Sequence, residues 1–319
     1  MAIRSLSEAV DNLYTTTWYN MKKKAIDNIF DGSPFWFWLK SNGGLQSTEG
    51  GRHINEPIRY ASSDKIKWIT KGGTTSLSDQ EFLTTAYYTW KYLTDSIVRF
   101  GTEEQQNRGK NQIMSLMQAK IDNSKDSLAN ELETRLCTSA GTNQMLGLVD
   151  IVAAGTLAGI AGGTYTWWQS TVEDNNTDSW ATYFLVRFSN LFNDASKGVR
   201  LDAPDIIVSG QEFFERYEIE VADQLMRTVN KKMSDRMFEH VVFKGAPVIW
   251  SPAMVTDDAY ILNTRYLKFR YDPQMFFDMT AWKEIPNQVQ DRAAQIVTAC
   301  ELTTSRRRAH AASTSWDTD

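Results

Sequence analysis

The sequence predicts an α+β chain in which an extended β ribbon feeds directly into one long helix. Three observations carry this. Polar, β-branched runs at 53–60, 65–70 and 82–100 read as strands, separated by the soft glycine- and serine-rich connection 71–78. Thr102 and Gln105 then form a capping-box pattern, followed by Met114, Met117, Ile121, Leu128, Leu132 and Leu136 at near-helical spacing. A helix over 102–137 would be about 50 Å long. From 178 onward, helical and strand patterns alternate as in a compact α/β unit.

The elements follow in order. Residues 6–30 have helical periodicity, with Val10, Leu13, Tyr14, Trp18, Met21 and Ile26 as apolar positions, and Ser33-Pro34 ends the pattern. Phe35, Trp36, Phe37, Trp38 and Leu39 make a dense aromatic knot. Two readings stand for it: a helix plugging the chain's own core, or an arm docking on another copy. Asn42-Gly43-Gly44 frees the chain. In the ribbon, Ile54, Ile58 and Tyr60 alternate with polar neighbours, and Pro57 confines that run to a sheet edge. Ile66 and Trp68 alternate with Lys65 and Lys67, whose charges deter promiscuous edge pairing. Residues 138–164 read as short strands and turns. Residues 178–194 read as a helix with Tyr183, Phe184, Phe188, Leu191 and Phe192 inward. Residues 205–208 read as a buried strand, and Ser209 with Glu212 reads as a second capping box opening a helix through Phe213, Tyr217, Val221 and Leu225. Strands are expected at 248–250, 260–262 and 266–270, and a long closing strand pair at 291–315.

Composition bounds the class. The chain has 319 residues, 42 % hydrophobic, enough for one large or two modest domains. Eleven Trp and fifteen Phe exceed what core packing needs, and large aromatics also anchor subunit interfaces. Two cysteines, Cys137 and Cys300, make a disulfide framework unexpected and fit a reducing compartment. No apolar run reaches membrane-helix length, and the start does not read as a signal peptide, so no membrane partner is expected. A net charge of −5 argues against broad DNA binding. His53, His240 and His310 are scattered outside any zinc-protease pattern, and the glycine-rich stretch lacks the phosphate-loop ending. No catalytic, cofactor-binding or metal residue is assigned.

Along the chain stand Tyr88-Thr89-Trp90-Lys91, Ser96-Ile97-Val98-Arg99-Phe100-Gly101, Asn107-Arg108-Gly109-Lys110, Gly147-Leu148-Val149-Asp150-Ile151, Trp167-Trp168, Pro204-Asp205-Ile206-Ile207-Val208-Ser209 and Leu262-Asn263-Thr264-Arg265-Tyr266. In that order and spacing, from about residue 51 to the C-terminus, the chain resembles the major capsid proteins of tailed bacteriophages, the Hong Kong 97-like fold. The resemblance implies an N-terminal arm at 1–51, an extended loop at 52–100 and a spine helix of the peripheral domain at 101–140. An axial domain would cover 141–259, and returning strands of the peripheral domain 260–319. It implies a structural subunit that assembles in the host cytoplasm into pentamers and hexamers of an icosahedral virion, enclosing double-stranded DNA without sequence-specific binding, and that is not an enzyme. A portal protein, a separate scaffolding protein and a decoration protein are the implied partners; about fifty residues before the loop are too few for a long fused coiled-coil scaffold.

The candidate inter-subunit residues are Lys65, Lys67, Trp68 and Lys71 of the loop, Trp36 and Trp38 of the arm, and Arg306 and Arg308. In a closing strand the last two would share a face and meet carboxylates across a capsomer joint, with Arg307 opposed to them and mattering less. Some relatives join loop lysines to asparagines of neighbours, but no matching asparagine and acid stand here in a recognisable context. Two alternatives remain: a soluble α/β hydrolase-like enzyme with a β insertion, and a phage tail or neck protein.

Overall fold

The computed structural model describes residues 34–75, 77–107, 116–176, 179–196, 202–222, 241–286, 288 and 290–316. The expected arm helix at 6–30 and His240 lie outside them. Contacts group the described residues into two units, one drawn from Tyr92–Glu133 and Tyr271–Cys300, the other from Ser33–Lys91, Thr134–Arg270 and Glu301–Asp319.

In chain order the elements are α1 (Pro34–Ser41), β1 (Leu45–Ser47), β2 (Ile54–Arg59), β3 (Leu83–Tyr88), β4 (Lys91–Arg99), α2 (Gly101–Gln106), α3 (Leu116–Cys137), α4 (Leu148–Ile151), a 3-10 turn (Thr166–Trp168), β5 (Thr171–Asp174), α5 (Trp180–Ser196), β6 (Ile206–Ser209) and α6 (Gln211–Ala222). Then come β7 (Val241–Phe243), β8 (Ala246–Trp250), β9 (Ala259–Leu262), β10 (Leu267–Tyr271), β11 (Asp278–Met279), β12 (Lys283–Glu284), β13 (Arg292–Thr304), a 3-10 turn (Arg307–Ala309) and β14 (Ala311–Thr314).

The first unit is built on β13 and α3. β4, β11 and β12 pair with β13, with Met279 opposite Ile296 and Lys283 opposite Ala293. The α3 stripe closes this sheet: Leu128 is buried with Ile97 and Ile296, and Met117, Ile121, Leu93, Phe277, Met279 and Trp282 pack around them. The polar side of the contact is also satisfied. Lys120 Nζ lies 2.6 Å from Glu103 and over the Phe100 ring, and the Ser124 hydroxyl donates to Asp95.

The single helix expected over 102–137 is divided. α2 stops at Asn107, whose backbone has left helical geometry (φ −93°, ψ 60°), and α3 is described from Leu116. The Thr102 capping box does not form, because Phe100 occupies the cap position and Thr102 lies inside the helix. Asp291 takes the Gly101 N–H instead, at 3.0 Å from a position 190 residues away in the chain. Local sequence cannot announce such a cap.

The second unit centres on a mixed sheet of order β5-β14-β9-β6-β8-β7 among the described residues. β6 runs parallel to β8 and antiparallel to β9, and β14 parallel to β5. β6 and β9 are buried at every position, as strands covered on both faces require. α5 and α6 lay an aromatic core on one face: Trp180, Phe184, Phe188, Phe192, Phe213, Tyr217, Phe243 and Trp316 join Ile207, Val248 and Ile261. Trp180 stacks on Phe184 at 4.0 Å. Tyr183, expected inward, is 46 % exposed: one position before Phe184, it is turned out of the helix's buried stripe.

Three further expectations change. Ser209 ends a strand and donates its hydroxyl to the Ile249 carbonyl, so it does not cap α6. Gly210 stands before that helix, where any Cβ would collide with the backbone of Val255 and Thr256. Residue 151 ends the short helix α4 rather than opening a strand. β13 and β14 do not pair with each other. β14 joins β5 and β9, so residues 260–319 do not return as one set of strands, and a boundary at 259/260 cuts through β9.

Candidate assembly surface

The ribbon is rooted by its inward face. β2 and β3 pair antiparallel, Ile54 opposite Tyr88 and Pro57 opposite Thr85, and Ile54, Glu56 and Ile58 alternate buried with exposed neighbours. Pro57 sits where the sequence put it, on a strand paired along one edge. Glu56 is buried against Arg270, with Nη2 at 2.5 Å and Nε at 3.0 Å, and accepts the Thr303 hydroxyl at 3.2 Å. Tyr88 OH donates to the Thr304 carbonyl at 2.9 Å and accepts the Thr304 N–H at 3.2 Å. Tyr60 stacks on Trp167 with ring centroids 5.4 Å apart. A charged pair and a phenol, each satisfied in the interior, fix the direction in which the ribbon leaves.

Beyond Tyr60 the chain projects. Gln80 ties the two sides together, its side chain meeting Ser62 O and Asp64 N. Residues 65–70 are not a strand: extended backbone without a partner strand makes no ladder. Here lie the largest apolar exposures in the described chain: Trp68 at 103 %, Leu77 at 97 % and Ile66 at 85 %. Lys67 and Lys71 are exposed beside them and Lys65 half-buried. Three bare apolar side chains on one well-anchored ribbon form a contact surface, since isolated exposed residues are ordinary but a cluster held in place is not.

The other candidates sit differently. Trp38 is 5 % exposed, with Phe35 and Leu39 at 1 % and 0 %, and Trp36 packs edge-on against Phe269 at 5.0 Å. The knot is thus the α1 plug of its own unit, which leaves Trp38 no surface to offer a neighbour. The arginine run forms a 3-10 turn, so the alternation that paired Arg306 with Arg308 does not apply. Arg308 is exposed. Arg306 turns inward over the Tyr266 ring at 5.2 Å, donates to Tyr266 OH at 3.2 Å and lies 4.0 Å from Asp202.

Arg307, expected to matter least, is 1 % exposed. Its guanidinium donates to the carbonyls of Ile151 (2.7 Å), Gly155 (2.5 Å), Asp150 (2.9 Å) and Trp168 (3.4 Å). Burial pulls its pKa down to about 10, which still leaves it charged at neutral pH. It holds 150–168, a stretch with little regular structure whose carbonyls need donors. The one sequence signal was its setting, Arg307 to Ala312 being short and apolar save for His310. That histidine is fully buried, its Nδ1 accepting the Asn263 N–H and its Nε2 meeting the Thr304 hydroxyl. His53 is exposed beside Tyr87. Among the described residues no group of three or more His, Cys, Asp or Glu could hold a metal ion, and no helix is long and apolar enough to cross a membrane.

No protein-family model matches the chain, and no curated protein sequence matches it. Solved structures do. The chain is similar to a subunit of the cyanophage A-1(L) capsid, with TM-score 0.66, 15 % identity and 92 % of this chain and 96 % of that one covered. It is similar to the SrpI encapsulin of Synechococcus elongatus (TM-score 0.59, 13 % identity, 99 % and 97 % covered). It is also similar to a protein of the head of Helicobacter pylori bacteriophage KHP40 (TM-score 0.56, 8 % identity, 98 % of each chain). At such identities the likeness is one of fold, and the chain has the Hong Kong 97-like fold.

Proposed function

We propose that this chain is a non-enzymatic structural subunit of an icosahedral bacteriophage head. It self-assembles into pentamers and hexamers that enclose packaged double-stranded DNA. The carrying observation is the ribbon: it is anchored by Glu56–Arg270 and Tyr88, yet leaves Ile66, Trp68 and Leu77 bare. Fully burying side chains of this kind is worth roughly 1.5–3 kcal/mol each. A neighbouring subunit would supply that cover, and closed symmetry would repeat the contact at every subunit. In this proposal the sheet unit with α5 and α6 takes the axial role and the unit with α3 and β13 the peripheral role. Lys65, Lys67, Lys71 and Arg308 are the charged groups facing neighbours. The partners are a separate scaffolding protein, a portal and a decoration protein. Nothing in the fold comparisons supports a hydrolase.

The encapsulin likeness supports a second assignment, a protein compartment rather than a DNA-filled head, because the same fold serves both. Electron microscopy and nuclease treatment of particles from the native source separate the two. Closed shells with nuclease-protected DNA support the head. Closed shells holding protein and no DNA support the compartment. Small discrete oligomers under every condition, with or without a scaffold, refute both.

A further inference from the structure

Glu301 is a buried carboxyl with an unusual task. It is 1 % exposed and stands just before the last residues of β13. Its Oε1 accepts two backbone N–H groups, from Leu302 at 3.0 Å and from Leu146, 155 residues away, at 2.9 Å. One oxygen taking both donors is what the carbonyl oxygen of a neutral acid does with its two lone pairs. Leu146 belongs to 138–147, the connection between α3 and α4. A second carboxylate, Asp150, grips the other side of that connection, accepting the N–H of Ala140 (2.7 Å) and of Gly147 (3.0 Å) and the Ser139 hydroxyl (2.9 Å).

We propose that Glu301 is a protonation-operated latch on residues 138–147, closed while its carboxyl is neutral and loosened as that carboxyl ionises. The charged groups that face it are Lys91, at the start of β4, and Asp150, in α4; the Tyr88 phenol approaches from β3. Lys91 favours the carboxylate and Asp150 opposes it. Tyr88 stays neutral, since burial pushes its pKa well up. The dominant influence is desolvation, which raises Glu301 from 4.5 to about 7. When 138–147 lifts away, water reaches the carboxyl and its ordinary value returns. Ionisation is therefore cheaper in the open form, and rising pH favours opening. With those two values, opening increases roughly thirtyfold between pH 5.5 and 8.5. The device rests on this chain's own contacts and stands whether the particle is a head or a compartment.

The test is amide hydrogen exchange of the full-length subunit, followed by mass spectrometry on peptides covering 138–147. Rates are divided by the intrinsic base-catalysed rate at each pH. Wild type is expected to lose protection there by more than tenfold from pH 5.5 to 8.5. Glu301→Gln keeps an acceptor oxygen but cannot ionise, and should give a flat profile. Asp150→Asn weakens the loop at every pH but keeps Glu301, so the pH-dependent rise should persist. A flat wild-type profile overturns the latch even if Glu301→Gln fails to fold. A Glu301→Gln profile that rises like wild type overturns it as well.

Discussion

Arg307→Met removes four charge-assisted hydrogen bonds while keeping most of the side chain's length and apolar stem. Each such bond is worth about 1.5–3 kcal/mol when its partner would otherwise stay buried and unpaired. The full sum is not lost. Ile151 O also receives the Ser170 hydroxyl at 3.4 Å, the Trp168 contact is long, and a neutral side chain is spared the cost of burying a charge. A net loss of about 3–5 kcal/mol remains, a large share of the roughly 5–15 kcal/mol that holds a domain together. Arg307→Lys, with three donors on one point, should fall between. Arg308→Met, on an exposed side chain of the same turn, should stay within about 0.5 kcal/mol of wild type. Urea unfolding of the soluble subunit, followed by tryptophan fluorescence, measures all three. An Arg307→Met midpoint equal to that of Arg308→Met would refute the assignment of Arg307 as the donor that organises 150–168.

Leu128→Asp should abolish soluble folded subunit, since it places a charge against Ile97 and Ile296; circular dichroism showing a native-like, stable mutant would contradict the packing of α3. Trp68→Ser should leave the urea midpoint within about 0.5 kcal/mol of wild type and sharply lower the yield of closed particles by light scattering, because nothing in its own chain covers the ring. Replacing 61–78 by a short Gly-Ser turn should do the same; a subunit that then unfolds outright would show the ribbon to be part of the core. His310 is held neutral by burial and by the charges of Arg306 and Arg307, its pKa depressed from 6.5 to about 3. The unfolded chain therefore binds the extra proton between those values, so this stability is present above pH 6.5 and is lost at about 1.4 kcal/mol per pH unit as pH falls toward 3. His310→Gln should lose less stability than wild type between pH 7 and 5, and equal losses would remove His310 as a source of acid sensitivity.

What the sequence determined by itself was whatever depends on period and composition. The β2–β3 ribbon, the edge position of Pro57, the leucine stripe of α3, the phenylalanine stripe of α5 and the buried β6 all follow from local alternation of apolar and polar residues, which burial must respect wherever the element lies. The bare ribbon tip was equally legible, because 61–78 offers no stripe that its own chain could cover. Tertiary structure decided what depends on partners far along the chain. Asp291 caps α2 in place of Thr102, β14 leaves β13 for another sheet, and the aromatic knot turns into the chain's own core. The arginine run shows the reason most clearly. Three adjacent guanidiniums are chemically alike in sequence, yet one is in water, one lies on a tyrosine and one is buried under four carbonyls. A side chain's role there is set by which acceptors surround it, and those acceptors come from residues 150–168, brought in only by the fold.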